Sequence, residues 1–261
     1  MNRTWNFSGF EFYVLWRDTT GQRLPWPFFY TNRMQTEDEF EALRLRARER
    51  LNHTLDAYFG EVLTALTDPD LWLAVNGWDG HAPDRPDGLV RLYAARRGEN
   101  GYVVTQTTGE TYWDAASFTV TEGDAVSLAA AVVAALPEEK PGRQSDLVLP
   151  AEENTDELDY SYGRSAVHDS FDDTVTDRAR RFLDTTPVCR GTIDIVQGRS
   201  IYGPRGLTRH RLQWRDLPDD GRYLIDDRHP PVVRAADDRQ LTSAINTRIV
   251  EVVRAIKDER R

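Results

Sequence analysis

Apolar and polar positions alternate along Phe10–Arg17, with Phe10, Phe12, Val14 and Trp16 on one side, and this period of two predicts a half-buried strand. Gly21 turns the chain. Leu24–Tyr30 is apolar too, but Pro25 and Pro27 lack the N–H a ladder needs, so that run belongs at an edge or outside a sheet. From Thr36 the spacing changes. Thr36-x-x-Glu39 has the form of a capping box, in which hydroxyl and carboxylate satisfy each other's backbone N–H groups. Behind it Phe40, Leu43, Ala47, Leu51, Leu55, Tyr58, Val62 and Leu66 recur at steps of three and four, predicting one long amphipathic helix that stops at Asp68-Pro69.

Leu71–Val75, Leu89–Ala95, Tyr102–Thr107 and Tyr112–Val120 follow as strands with glycine-bearing connections too short for helical crossovers, which makes them an antiparallel meander. Asp124 is placed to cap a helix through Val126, Leu128, Val132 and Leu136, ended by Pro137. Phe171, Val175, Ala179 and Phe182 restore helical spacing later in the chain. Pro187–Val196, Leu207–Arg215, Arg222–Ile225 and Pro231–Ala235 read as strands, and Asp237 or Asp238 caps a last helix carrying Leu241, Ile245, Ile249, Val252 and Ile256.

The order helix, antiparallel strands, helix thus occurs twice, and details repeat with it. Arg91-Leu92 before Gly101-Tyr102 matches Arg211-Leu212 before Gly221-Arg222-Tyr223, and Val120, Asp124 and Leu128 match Val233, Asp237 and Leu241. The expected fold is α+β: two pseudo-two-fold related halves, each an antiparallel β-meander with flanking helices, around a central sheet. The boundaries fall at residues 1–137 for the N-terminal half, 138–167 for an acidic linker and 168–261 for the C-terminal half.

Charge supports that linker. Acids outnumber bases twelve to three over residues 138–177, in a chain of net charge −10, so the remainder is nearly neutral. Of the 33 basic residues only Lys140 and Lys257 are lysines. No run of eighteen apolar residues occurs, and the start, Met1 to Asn6, has no apolar leader core, so a cytoplasmic protein without a membrane partner is expected. Cys189 stands alone, which excludes an internal disulfide and reads as a structural thiol. His53, His81, His168, His210 and His229 share no metal-ligand spacing. The run Gly198 to Gly206 lacks the Lys-Ser/Thr of a phosphate loop, and Pro204 removes a donor, so it reads as a hairpin loop. No nucleophile elbow is present. These readings predict neither enzyme chemistry nor a cofactor.

One local signal remains. Residues 187–215 hold Arg190, Arg199, Arg205, Arg209, His210, Arg211 and Arg215 against the single acid Asp194, with aromatic and aliphatic residues between. Such a hairpin could grip single-stranded nucleic acid. It could anchor a protein partner through Arg, Tyr and Trp, or be a solvated face whose arginines pair with the acidic linker. The acidic whole disfavours nucleic acid, because counterion release needs a broad positive field.

The order of elements, with Leu15-Trp16, Leu24-Pro25-Trp26-Pro27, the capped apolar helix before Pro137, Asp220-Gly221-Arg222-Tyr223-Leu224 and Val232-Val233-Arg234-Ala235-Ala236-Asp237, resembles the EspG family of ESX (type VII) secretion-associated chaperones of actinobacteria. The resemblance implies a cytosolic, non-catalytic chaperone that holds the exposed apolar tip of a helical PE–PPE-like secretion substrate before export, using the sheet and the C-terminal half. The chemistry of the basic hairpin then nominates Ile195, Arg199, Ile201, Tyr202, Arg205, Leu207, Arg209, Arg211 and Trp214 as partner-binding residues, together with the final helix. Self-association stays open.

Overall fold

In the computed structural model, which describes residues 3–150 and 175–260, the chain opens with a short strand, β1 (Thr4–Ser8), and then a helix, α1 (Gly9–Thr20). The strand expected over Phe10–Arg17 is therefore helical. Ser8 and Glu11 form the reciprocal box: the Glu11 N–H donates to Ser8 Oγ at 3.2 Å, and the Ser8 N–H donates to Glu11 Oε2 at 2.9 Å. The aromatic alternation misleads because α1 is buried on two sides. Phe12 and Trp16 face the sheet, while Phe10 and Tyr13 stack against Phe40 and Tyr30. Each such burial is worth roughly 1.5–3 kcal/mol, more than any strand preference of these side chains.

The proline-broken run lies outside the sheet, as expected. The long helix does not survive intact: α2 (Glu37–Thr54) ends at Leu55, whose backbone is extended, and α3 (Phe59–Thr67) begins anew. Asp56 causes the break by accepting the Phe59 N–H at 3.1 Å, a turn that competes with helix continuation. At the start of α2, Thr36 accepts the Glu39 N–H, but Glu39 returns to the Gln35 N–H, one residue outside the expected box.

The remaining elements are β2 (Leu71–Asp79), β3 (Val90–Arg97), β4 (Asn100–Thr108), β5 (Ala115–Asp124), α4 (Leu128–Ala134), β6 (Leu147–Val148), α5 (Val175–Asp184), β7 (Cys189–Gln197), β8 (Arg209–Leu217), β9 (Gly221–Ile225), β10 (Val232–Ala235) and α6 (Asp238–Glu259). The described strands form one sheet in the order β1-β5-β4-β3-β2-β7-β8-β9-β10-β6, antiparallel throughout. The halves meet at β2 and β7.

Register confirms the internal repeat. Val75–Leu92, Ala95–Tyr102, Val104–Val120 and Trp5–Val120 in the first half recur as Ile193–Leu212, Arg215–Tyr223, Ile225–Val233 and Leu147–Val233 in the second. The sequence matches Leu92/Leu212, Tyr102/Tyr223 and Val120/Val233 thus occupy equivalent ladder positions. β6 is the counterpart of β1, which corrects part of the linker: Leu147 and Leu149 are buried, and the stretch up to Pro150 is built onto the C-terminal half. Residues 151–167 lie outside the described residues, as does Phe171.

Opposite residues on paired strands share a face. On one face Leu73, Val75, Leu92, Ile193, Ile195, Leu212 and Trp214 form a core shared by both halves beneath α4 and α6. On the other, α1 and α3 cover Tyr93, Tyr102 and Phe118, while α5 covers Tyr223, Ile225 and Leu147 through Ala179 and Phe182.

Candidate functional site

Among the described residues, no helix covers the middle of that second face. α1 and α3 pack on β3, β4 and β5, and α5 packs on β6, so no described helix lies across β2, β7 and β8 there. The strand period exposes Trp78 of β2, Arg190, Thr192 and Asp194 of β7, and Arg211, Gln213 and Arg215 of β8 on this strip. It forms the floor of a groove of about 610 Å³, walled by Leu183 at the end of α5 and by the loop Asp226–Pro231 before β10.

Two cross-strand pairs on that floor contrast. Asp194 and Arg211 are directly opposite and bonded in bidentate fashion, at 2.6 and 3.1 Å. Arg190 and Arg215 are also directly opposite, and their charges are alike. Arg190 lies over the Trp78 ring at 5.4 Å. Arg215 lies over Phe182 at 5.1 Å and donates to the carbonyls of Leu183 and Thr185 at 3.1 and 2.6 Å. Burial, and then the charge of Arg190, press the Arg215 guanidinium below the usual arginine range.

The nine residues nominated from the sequence do not form one surface. Ile195 and Trp214 are core: both point to the face beneath α4 and α6, and Trp214 rests on Gly77 and Gly191, where any Cβ would clash with its ring. Neither reaches a partner unless the sheet opens. Of the nine, Arg211 presents an exposed side chain to the groove, and Trp214 borders it only as a buried residue. Arg199, Ile201, Tyr202 and Arg205 sit on the β7–β8 loop at the far end of the hairpin, and Arg199 stands roughly 17 Å beyond the Asp194–Arg211 pair at strand rise. Leu207 is half-buried there and Arg209 is exposed.

That loop is the expected hairpin loop and is held firmly. Glu259 of α6 accepts from Gln197 Nε2, Ser200 Oγ and the Ile201 N–H at 3.0, 2.9 and 3.0 Å, leaving Ile201 and Tyr202 70% and 74% exposed. Arg199 pairs with Asp68 at 2.8 Å. Arg199 and Arg211 are thus paired with a loop and a sheet aspartate, which interrupts the run of positive charge along the hairpin. α6 and α4 border a second, shallow groove of about 820 Å³ on the opposite face, lined by small residues such as Ala130, Ala134, Thr242 and Asn246.

Trp78, Thr192, Gln213 and the Asp226–Pro231 loop were not nominated from the sequence. The signal that finds them is parity, since polar residues at 190, 192 and 194 and at 211, 213 and 215 alternate with apolar ones. Chemistry elsewhere is structural. His210 bridges Asp227 at 2.8 Å and Glu251 at 3.3 Å, tying β8 to the Asp227 loop and α6. Burial pushes the Cys189 thiol up to about 11. Among the described residues no cluster of ligating side chains could hold a metal ion. No described helix is long and apolar enough to cross a membrane.

A family model described as the EspG family matches residues 8–247. The chain belongs to the EspG family. That family is one of secretion chaperones, not of enzymes. No curated protein matches the sequence. Among solved structures, that of the Mycobacterium tuberculosis type VII secretion system chaperone EspG5 in complex with a PE25–PPE41 dimer is similar over 95% of this chain and 96% of its own, with a TM-score of 0.56 and 13% identity. At that identity the likeness is one of fold: the EspG architecture is a single large antiparallel sheet with flanking helices.

Proposed function

We propose that this EspG protein is a cytoplasmic type VII secretion chaperone that seats the tip of a helical, PE–PPE-like substrate on the uncovered strip of its sheet. The observation that carries the reading is the groove over β2, β7 and β8, open between the two sets of helices that cover the rest of that face. A helix is about 10–12 Å across, so a groove of about 610 Å³ takes the turn of a helical hairpin and not its shaft. Trp78 and Leu183 offer apolar contact there, with Thr192 and Gln213 as polar partners between them. The family and the structural neighbour, itself solved with a PE–PPE dimer, support a partner of this kind.

Co-expression tests it. The chain, tagged, is produced with a PE–PPE pair from its own host, and the pair is expected to co-purify. Gln213→Trp fills the floor of the groove from an exposed position and is expected to abolish co-purification while leaving the melting temperature unchanged. Retention of the pair by this variant at wild-type level would sink the assignment to this groove.

A further inference from the structure

We infer that the directly opposed Arg190 and Arg215 receive a carboxylate from the partner, so that the substrate tip seated in the groove is acidic as well as apolar. The inference rests on the reading that this groove seats the partner, and it names what the groove selects.

Like charges facing each other across a strand pair are destabilising, and folds offset them with a neighbouring acid. Here every nearby carboxylate that makes an ion pair makes it elsewhere. Asp79 pairs with Arg85 at 2.7 Å, Asp194 with Arg211 at 2.6 Å, and Asp216 with Arg222 at 2.8 Å. Asp226 pairs with Arg228 and Arg234 at 3.2 and 3.4 Å, and Asp227 pairs with Arg248 and His210. No ion pair joins Asp184 to either arginine among the described residues. Arg215 is fixed by two carbonyls, neither of which carries a charge. Arg190 is exposed, with the Trp78 ring as its support. Two guanidinium groups are therefore held a strand apart on aromatic platforms at the floor of a groove, with no counter-charge among the described residues. That arrangement fits one carboxylate between them, because charge-assisted N–H···O bonds are about twice as strong as neutral ones.

The test uses the full chain and two synthetic helical hairpins that differ only at the turn, Glu-Leu-Glu in one and Gln-Leu-Gln in the other, with fluorescence anisotropy as the readout. The acidic hairpin is expected to bind on the order of ten-fold tighter than its amide twin, with an advantage that shrinks as salt rises. In Arg190→Ala, whose exposed side chain leaves the fold intact, the two hairpins are expected to bind alike. Equal binding of both to the wild type, or an unchanged ratio in the variant, overturns the inference. If at the same time the PE–PPE pair is retained and lost in Gln213→Trp, the groove reading stands and only the carboxylate falls. A third ligand, the peptide of residues 151–174, carries the chain's own acids. Binding of that peptide alone, lost in Arg190→Ala, would assign the carboxylate to the chain and overturn its assignment to a partner.

Discussion

At the scale of single residues, the fold commits several charges to permanent positions and leaves few adjustable. Arg222 is 1% exposed, gives Asp216 two bonds of 2.8 Å, and donates to the Pro137 carbonyl at 2.8 Å, joining the end of the first half to the hairpin of the second. Removing one partner of such a pair strands a buried charge. Arg222→Ala is expected to cost about 3–5 kcal/mol in urea denaturation, whereas the joint replacement Arg222→Met with Asp216→Leu is expected to cost much less, since the pair's desolvation nearly cancels its attraction. Equal losses in the two variants would show that packing, and not charge, governs the site. The candidate partner residues are legible in the sequence only as a composition. Arginine, isoleucine and tryptophan in one hairpin suggested one surface, yet Ile195 and Trp214 stand on the opposite parity from Arg190, Thr192, Arg211 and Gln213. The pleat sends the two sets to opposite faces. Composition names the chemistry of a strand, and parity alone says which side of the sheet receives it.

At the scale of elements, the internal repeat provides a control inside one molecule. Asp237 caps α6 with a full box: the Gln240 N–H donates to Asp237 Oδ1 at 2.7 Å, and the Asp237 N–H donates to Gln240 Oε1 at 2.7 Å. Asp124, at the equivalent position, makes no side-chain cap; three residues on stands Ser127, too short to return the bond, and the chain enters α4 through a 3-10 turn with Val126 84% exposed. Asp237→Ala is therefore expected to lower stability by about 1 kcal/mol and Asp124→Ala by a few tenths at most, measured by thermal unfolding of both variants. The same comparison explains what was legible. The meanders, their glycine turns and the last helix follow from local periodicity and came through intact. α1 and the break after Thr54 did not, because each is decided by one polar side chain acting against the surrounding pattern. In α1, Ser8 starts a helix within an aromatic run that suits a strand equally well. At Asp56 a single carboxylate diverts a helix whose apolar stripe continues past it.

For the whole molecule, the two halves are similar units but not independent ones. β2 and β7 pair along nine residues each, from Leu71–Gln197 to Asp79–Cys189. Beneath them Leu73, Val75 and Leu92 of the first half share one core with Ile193, Ile195, Leu212 and Trp214 of the second, closed by α4 and α6 packed against each other. Separating the halves would bare an entire strand edge on each side and expose the interior of that core, a cost that no surface of either half offsets. The uncovered strip crosses the same seam: Trp78 comes from β2, and Arg190, Arg215 and Gln213 come from β7 and β8, so the groove exists only when both halves are joined. Equilibrium unfolding is therefore expected to be a single transition, with tryptophan fluorescence and far-ultraviolet circular dichroism superimposing at every urea concentration. Residues 1–137 produced alone are expected to lack cooperative unfolding, and addition of residues 138–261, which carry β6 with the rest of the second half, is expected to restore it. Two separated transitions in the intact chain, or a stably folded N-terminal fragment, would show the halves to be autonomous domains. In that event a partner bound across the seam would act as a clamp between two bodies, and its binding would raise the stability of the weaker transition alone.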